Sequence, residues 1–198
     1  MKKYLCLLAI LPLIACKNNN YEISGNIEQV ADSSLVYLQV LQTDKSFKII
    51  DSAYAINQKY TLKGNWEKEP TNAYLLIKEA SFSPRFILEK GKINLSVINN
   101  KEHKYEINGT ENNDLLNNLI QDTEKQKNSI ISILSEANEH TISNEDRMLL
   151  YNEAFINQTD IDKTYFEFAL KNPEKSVSAL IVEDLYFRNS IDLNKLQS

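Results

Sequence analysis

Lys104-Tyr105-Glu106-Ile107-Asn108-Gly109-Thr110 is followed directly by Glu111-Asn112-Asn113-Asp114-Leu115-Leu116-Asn117-Asn118-Leu119-Ile120. The first segment alternates apolar and polar residues over Lys104 to Ile107, the period of a half-buried strand. After Asn108-Gly109-Thr110 the period changes, and Leu115, Leu116, Leu119 and Ile120 recur at helical intervals. A chain that switches its hydrophobic period once, from strands to helices, reads as α+β.

Upstream of the switch the sequence reads as short strands throughout. Glu22-Ile23-Ser24-Gly25-Asn26-Ile27 alternates before a polar turn near Asp32-Ser33-Ser34, and Leu35 to Leu41 is rich in β-formers. Phe47 to Ala55 gives a third run, Tyr60 to Gly64 a fourth, and Ala73 to Ile77 a fifth after the turn-like Glu69-Pro70-Thr71-Asn72. Arg85 to Glu89, Ile93 to Val97 and Lys104 to Ile107 complete eight strands, with Lys90-Gly91 as a hairpin corner. Spacing of roughly ten residues predicts an antiparallel β-sandwich or partly open barrel over residues 21–110.

Downstream, residues 111–198 read as a helical segment. Ile130, Ile131, Leu134 and Ala137 continue the helical period, and Ser143-Asn144-Glu145-Asp146 resembles a helix start. Met148, Tyr151 and Phe155 form one stripe, continued by Tyr165, Phe168 and Ala169, and these stripes are expected to form core. Lys171-Asn172-Pro173 stops that helix, Ser176 to Phe187 gives another, and Asp192 to Gln197 a last turn.

The N-terminus reads as an address. Met1-Lys2-Lys3 is positive, and Tyr4 to Ala15 is almost wholly apolar. Twelve residues at helical rise span only about 18 Å, short of the roughly 20 residues that a lasting transmembrane helix needs. Residues 1–15 therefore read as a secretory signal. Its end, Leu13-Ile14-Ala15-Cys16, resembles the bacterial lipobox: Leu13 fills an apolar subsite, Ala15 is small beside the cleaved bond, and Cys16 supplies the thiol for lipidation. Lys17 to Asn20 is a polar tether, so residues 16–20 form the lipidated cysteine and its leash. Two or three acyl chains, at about 0.8 kcal/mol per buried methylene, anchor stably. No acid follows Cys16 directly, which favours the periplasmic face over the cell surface.

Composition narrows the chemistry. Removing Lys2 and Lys3 from the 22 basic residues leaves 20 against 27 acidic ones, a net charge of −7. Such a chain has no general attraction to nucleic acid or anionic lipid, and no nucleic-acid partner is expected. Cys6 lies in the signal and Cys16 takes the lipid, so the mature domain has no free thiol or disulfide. His103 sits in a polar turn and His140 between two helical runs, and neither has a metal-spaced companion. Nucleotide-binding glycine motifs and the nucleophile elbow are absent, so no cofactor is expected. The acid pairs Glu145-Asp146 and Glu183-Asp184 could serve acid–base chemistry, but the first falls in a helix's opening turn, where acids favour the dipole. An aromatic ligand shelf of Tyr165, Phe166 and Phe168 is the alternative to reading those residues as core. Asp51-Ser52-Ala53 resembles an O-glycosylation acceptor pattern of some Gram-negative envelope proteins, with Ser52 as acceptor.

The ordered set Ile23-Ser24-Gly25-Asn26-Ile27, Ile50-Asp51-Ser52-Ala53, Tyr60-Thr61-Leu62-Lys63-Gly64, Phe86 to Ile93 and Asn172 to Leu180 resembles a β-rich domain of unknown function. That domain lies N-terminal to thioredoxin-like domains in Gram-negative envelope lipoproteins, with Gly25, Gly64 and Gly91 marking tight backbone. A proline usually stands at the position of Lys90. The resemblance implies the accessory half of a thiol–disulfide oxidoreductase, and since this chain stops at Ser198, where the catalytic domain would begin, no catalytic residue carries over.

Three functions follow. The first is a membrane-anchored, non-enzymatic binding or interaction module for an envelope protein, peptide or small molecule. The second is an accessory or truncated half of a redox lipoprotein. The third is a carboxylate-based hydrolase, which needs two opposed acids about 5–10 Å apart in a cleft. The first is the reading adopted here.

Overall fold

The computed structural model describes residues 20–78, 80 and 82–191. Leu13, Ala15 and Cys16, most of the tether, and the last turn expected from Asp192 lie outside the described residues.

Eight strands come first: β1 (Asn20–Asn26), β2 (Ser34–Leu41), β3 (Phe47–Ala55), β4 (Lys59–Asn65), β5 (Thr71–Ile77), β6 (Arg85–Leu88), β7 (Gly91–Asn99) and β8 (Lys104–Asn108). Four helices follow: α1 (Glu111–Asp122), α2 (Glu124–Ala137), α3 (Asn144–Lys171) and α4 (Ser176–Phe187). The change of period at Asn108-Gly109-Thr110 is thus the boundary between strands and helices.

The strands form two four-stranded sheets, ordered β4-β1-β7-β8 and β3-β2-β5-β6. All ladders are antiparallel except β1 with β7, which runs parallel from Tyr21↔Gly91 to Ser24↔Asn94. Strand β1 enters between two strands that come later in the chain. A parallel neighbour is therefore reached only by a long connection, here β2, β3, β5 and β6 of the second sheet with β4 of the first. Gly25 is where this approach is tightest, since a methyl group there would overlap the carbonyl oxygen of Leu95 on β7.

Alternation fills the sandwich. Ile23, Leu62, Ile93, Leu95 and Ile107 from the first sheet meet Val36, Leu38, Leu75, Ile77 and Phe86 from the second in one buried cluster. Burying each such side chain contributes roughly 1.5–3 kcal/mol. The same cluster runs on into Leu116, Ile120, Ile161, Val177, Ile181 and Leu185, so the helices share the core of the strands.

Helix α1 closes the side where both sheets end, at β6 and β8. Asn113 Oδ1 accepts the backbone N–H of Ile87 at 2.9 Å, and its Nδ2 donates to the Ile87 carbonyl at 2.8 Å. One turn later, Asn117 Oδ1 accepts the N–H of Ile107 at 3.1 Å. Two asparagines four residues apart on one helix face thereby satisfy edge groups of both sheets. Asn112 beside them accepts the N–H of Val177 at 3.1 Å and fixes the start of α4.

The expected start of α3 is present: Ser143 Oγ accepts the Asp146 N–H at 3.1 Å. The expected role of its first stripe is corrected. Met148 and Phe155 are exposed and Tyr151 largely so, while α3 buries Ala154, Ile161, Tyr165 and Ala169 instead. Helix α3 carries apolar residues on two faces, and packing against α2 and α4 selects the face through Ile161 and Tyr165. Phe168 is half-buried against the core.

Candidate functional site

The alternation of β5 and β6 sends Ala73 and Phe86 into the sandwich and their neighbours Tyr74 and Arg85, paired in register, to the opposite face. Helix α4 covers that face. Asn72 Nδ2 donates to the Leu180 carbonyl at 2.8 Å and to Glu183 Oε2 at 2.7 Å, and Tyr74 donates its hydroxyl to Asp184 Oδ1 at 2.9 Å.

Arg85 and Asp184 form a buried ion pair at 2.6 Å, with side chains only 12% and 7% exposed. The oxygen lies off the N–H directions of Arg85 Nη1, which has no hydrogen-bond acceptor, so attraction of charge holds the pair. Asp184 Oδ2 also meets Arg188 Nε at 3.0 Å. Arg188 Nη1 reaches Asp162 Oδ1 at 2.9 Å, and Gln158 donates to the same oxygen at 2.9 Å. Two arginines and two carboxylates thus alternate along one chain of contacts linking β6, α4 and α3. Burial works against the Arg85 charge, but Asp184 together with Tyr165, Tyr74 and Tyr105 outweighs it and holds the guanidinium above its ordinary pKa. Burial pushes the Tyr74 and Tyr105 hydroxyls up, with Asp184 adding to the effect at Tyr74 and Tyr165 at Tyr105, so both stay protonated at neutral pH.

This chain of contacts borders a cavity of about 320 Å³. Phe47, Tyr74 and Phe187 make one wall, with Phe47 edge-on to Tyr74 at 5.1 Å and to Phe187 at 5.8 Å. Tyr165, Tyr105 and Ile120 face them. A second cavity of about 420 Å³ adjoins it, between β8 and the helices α1, α2 and α3. Tyr105, Ile120, Lys127 and Gln158 line both, so the two form one groove, whose part beside β5, β6 and α4 is termed inner and whose part beside β8 and α2 is termed outer. The outer rim carries Glu102, Glu106 and Glu124, and Lys104 pairs with Glu124 at 2.6 Å.

The residues singled out from sequence distribute unevenly around this groove. His103 lies in the expected turn, at its outer rim, stacked on Phe82 at 4.8 Å with a left-handed backbone (φ 53°). His140 is exposed in the link between α2 and α3. Glu145 and Asp146 occupy the first turn of α3 in solvent. Of the aromatic shelf, Tyr165 alone lines the groove, and Phe166 and Phe168 pack against the core. Ser52 is exposed on β3, an edge strand, with its N–H bonded to Asp51 Oδ1 at 2.7 Å. No metal-binding group of three or more His, Cys, Asp or Glu occurs among the described residues, and no helix among them is long and apolar enough to cross a membrane.

The sequence reading missed Arg85, Arg188 and Lys127, and named Asp184 only as half of the acid pair Glu183-Asp184. Arg85 carries a detectable signal, a charge at the first position of a strand whose other residues are apolar. The others lie on helices, where a charge usually marks a solvated face.

Residues 21–116 match the model of a family described as a domain of unknown function, DUF4369. The matched span covers all eight strands from Tyr21 onward and α1 as far as Leu116. It contains Tyr74, Arg85 and Tyr105, whereas Lys127, Asp162, Tyr165, Asp184 and Arg188 come from the helices beyond it. No curated protein matches the chain.

Proposed function

We propose that this chain is a lipid-anchored envelope protein acting as a non-catalytic binding module, with the groove between β8 and the helices as its ligand site. The observation that carries the binding reading is the buried Arg85, ion-paired with Asp184 and set among aromatic rings at the inner end of a concave groove. Cavities of a few hundred Å³ with apolar walls and a few fixed polar groups are the usual form of small-molecule sites. The buried carboxylates Asp162 and Asp184 are each held by Arg188. That arrangement leaves them poorly suited to the acid–base division of a hydrolase, in which one acid must keep its proton and the other stay free. The anchor rests on the sequence around Leu13, Ala15 and Cys16, and attachment would be through lipid on Cys16, at the periplasmic face.

The test is to express the full chain in a lipoprotein-processing bacterium, fractionate the envelope, and record native and denaturing mass spectra of the purified protein. The reading expects a mature mass carrying acyl chains at Cys16, loss of those chains in Cys16→Ser, and co-purification of a small molecule or a peptide. An unacylated product overturns the anchor. A bare protein that captures nothing from native envelopes overturns the binding role, and capture of a thioredoxin-like protein would make the chain an accessory half of a redox pair.

A further inference from the structure

We infer that the groove takes an amphipathic monoanion, a single carboxylate on an aromatic or short apolar body, with the carboxylate read by Lys127 and Arg85. This inference rests on the binding-module reading and assigns the ligand's chemistry.

Charge is unbalanced at the inner end. Arg85, Arg188 and Lys127 line the inner cavity, and the carboxylates that answer them are Asp184 and Asp162. Asp184 Oδ2 is divided between two guanidiniums, and Asp162 serves Arg188 alone among the arginines. Lys127 has no carboxylate within ion-pair distance among the described residues. Its Nζ instead lies 5.9 Å from the Tyr165 ring centre, on the border between inner and outer cavity. Arg85 Nη1 is itself buried against Asp184 at 2.6 Å. One positive charge in excess beside the aromatic walls favours one added negative charge.

The same geometry sets the rest of the ligand. Phe47, Tyr74, Phe187 and Tyr165 offer ring faces and edges to an apolar or aromatic body. The outer rim repels a second anion through Glu102 and Glu106, which share the single charge of Lys104 with Glu124. A dianion would therefore place its second charge against carboxylates or leave it unpaired.

The experiment uses the full lipidated chain in nanodiscs of zwitterionic lipid, with empty nanodiscs as the blank. Three probes are titrated calorimetrically at neutral pH: 3-phenylpropanoate, its neutral amide 3-phenylpropanamide, and the dianion phenylsuccinate. The expected result is binding of 3-phenylpropanoate, with the amide and the dianion each weaker by roughly tenfold or more. Lys127→Met, a half-buried residue with no ion pair to break, is expected to weaken 3-phenylpropanoate by a similar factor and leave the amide unchanged. Arg85→Met should do the same if it folds, and Lys127→Met carries the test if it does not. Equal binding of acid and amide, or an unchanged Lys127→Met, overturns the inference. So does recovery of a neutral molecule from the purified native protein, although the binding-module reading then stands. No binding of any probe and no co-purified molecule overturns both.

Discussion

The side-chain amide of Asn113 pairs with the backbone of Ile87 as a peptide unit of a neighbouring strand would, accepting its N–H and donating to its C=O. Both groups belong to the outermost strand of the second sheet, and Asn113 is wholly buried. Helix α1 thus ends the sheet where a ninth strand would otherwise add.

Asn113→Ala should therefore be costly although it removes no apolar contact. It leaves the Ile87 N–H and C=O buried without these partners, at about 1–3 kcal/mol each. We expect a loss of about 2–5 kcal/mol in denaturant unfolding. Asn113→Asp keeps the acceptor, loses the donor and buries a charge, and should be no better. A loss below about 1 kcal/mol would show that water or a shifted α1 replaces the amide.

Asp184→Asn tests the ion-pair chain. Removing this charge leaves Arg85 buried with no carboxylate beside it, a change that typically costs about 3–5 kcal/mol. The reciprocal Arg85→Met retains Arg188 as partner for Asp184 and should cost less. Chemical denaturation of the two variants checks the order, and the reverse order would contradict the pairing.

Alkaline pH should unfold the protein through its tyrosines. Burial raises the Tyr60, Tyr74 and Tyr105 hydroxyls above the ordinary value of 10.0. Above that pH the unfolded chain releases protons that the native state retains. The stabilisation is thus fully present below pH 10 and is lost as pH rises towards the native values, by up to about 1.4 kcal/mol per pH unit for each retained proton. Phenolate absorbance during a slow alkaline titration should show a late group of tyrosines ionising together with the loss of circular dichroism. A single smooth titration of every tyrosine with the fold intact would refute it.

Phe155 and Phe86 should respond oppositely to truncation. Phe86 is fully buried between the sheets, and Phe86→Ala should cost about 3–5 kcal/mol. Phe155 is 72% exposed, and Phe155→Ala should stay within about 0.5 kcal/mol of the parent. Thermal melts of the two variants decide this.

Much of the architecture was legible along the chain because it depends on local period. Period-two alternation located four of the strands, β-forming runs between turn signals located the other four, Asn108-Gly109-Thr110 marked the switch, and Ser143 marked the start of α3, since each signal is contained within a few residues. The groove was not legible. Arg85 and Asp184 stand far apart in sequence, and neither residue announces that the other lies 2.6 Å away.

By itself, then, the sequence determined the α+β order, the strand positions and the expectation of a lipid address at Cys16. Only the tertiary structure decided that β1 runs parallel to β7, that Met148 and Phe155 face solvent while Ile161 and Tyr165 face the core, and that arginines converge beside a cavity. The physical reason is the range of the interactions. Backbone hydrogen-bond geometry and side-chain period act over neighbouring residues, whereas which face is buried, and which charges meet in low dielectric, depends on elements that come together only when the chain is folded.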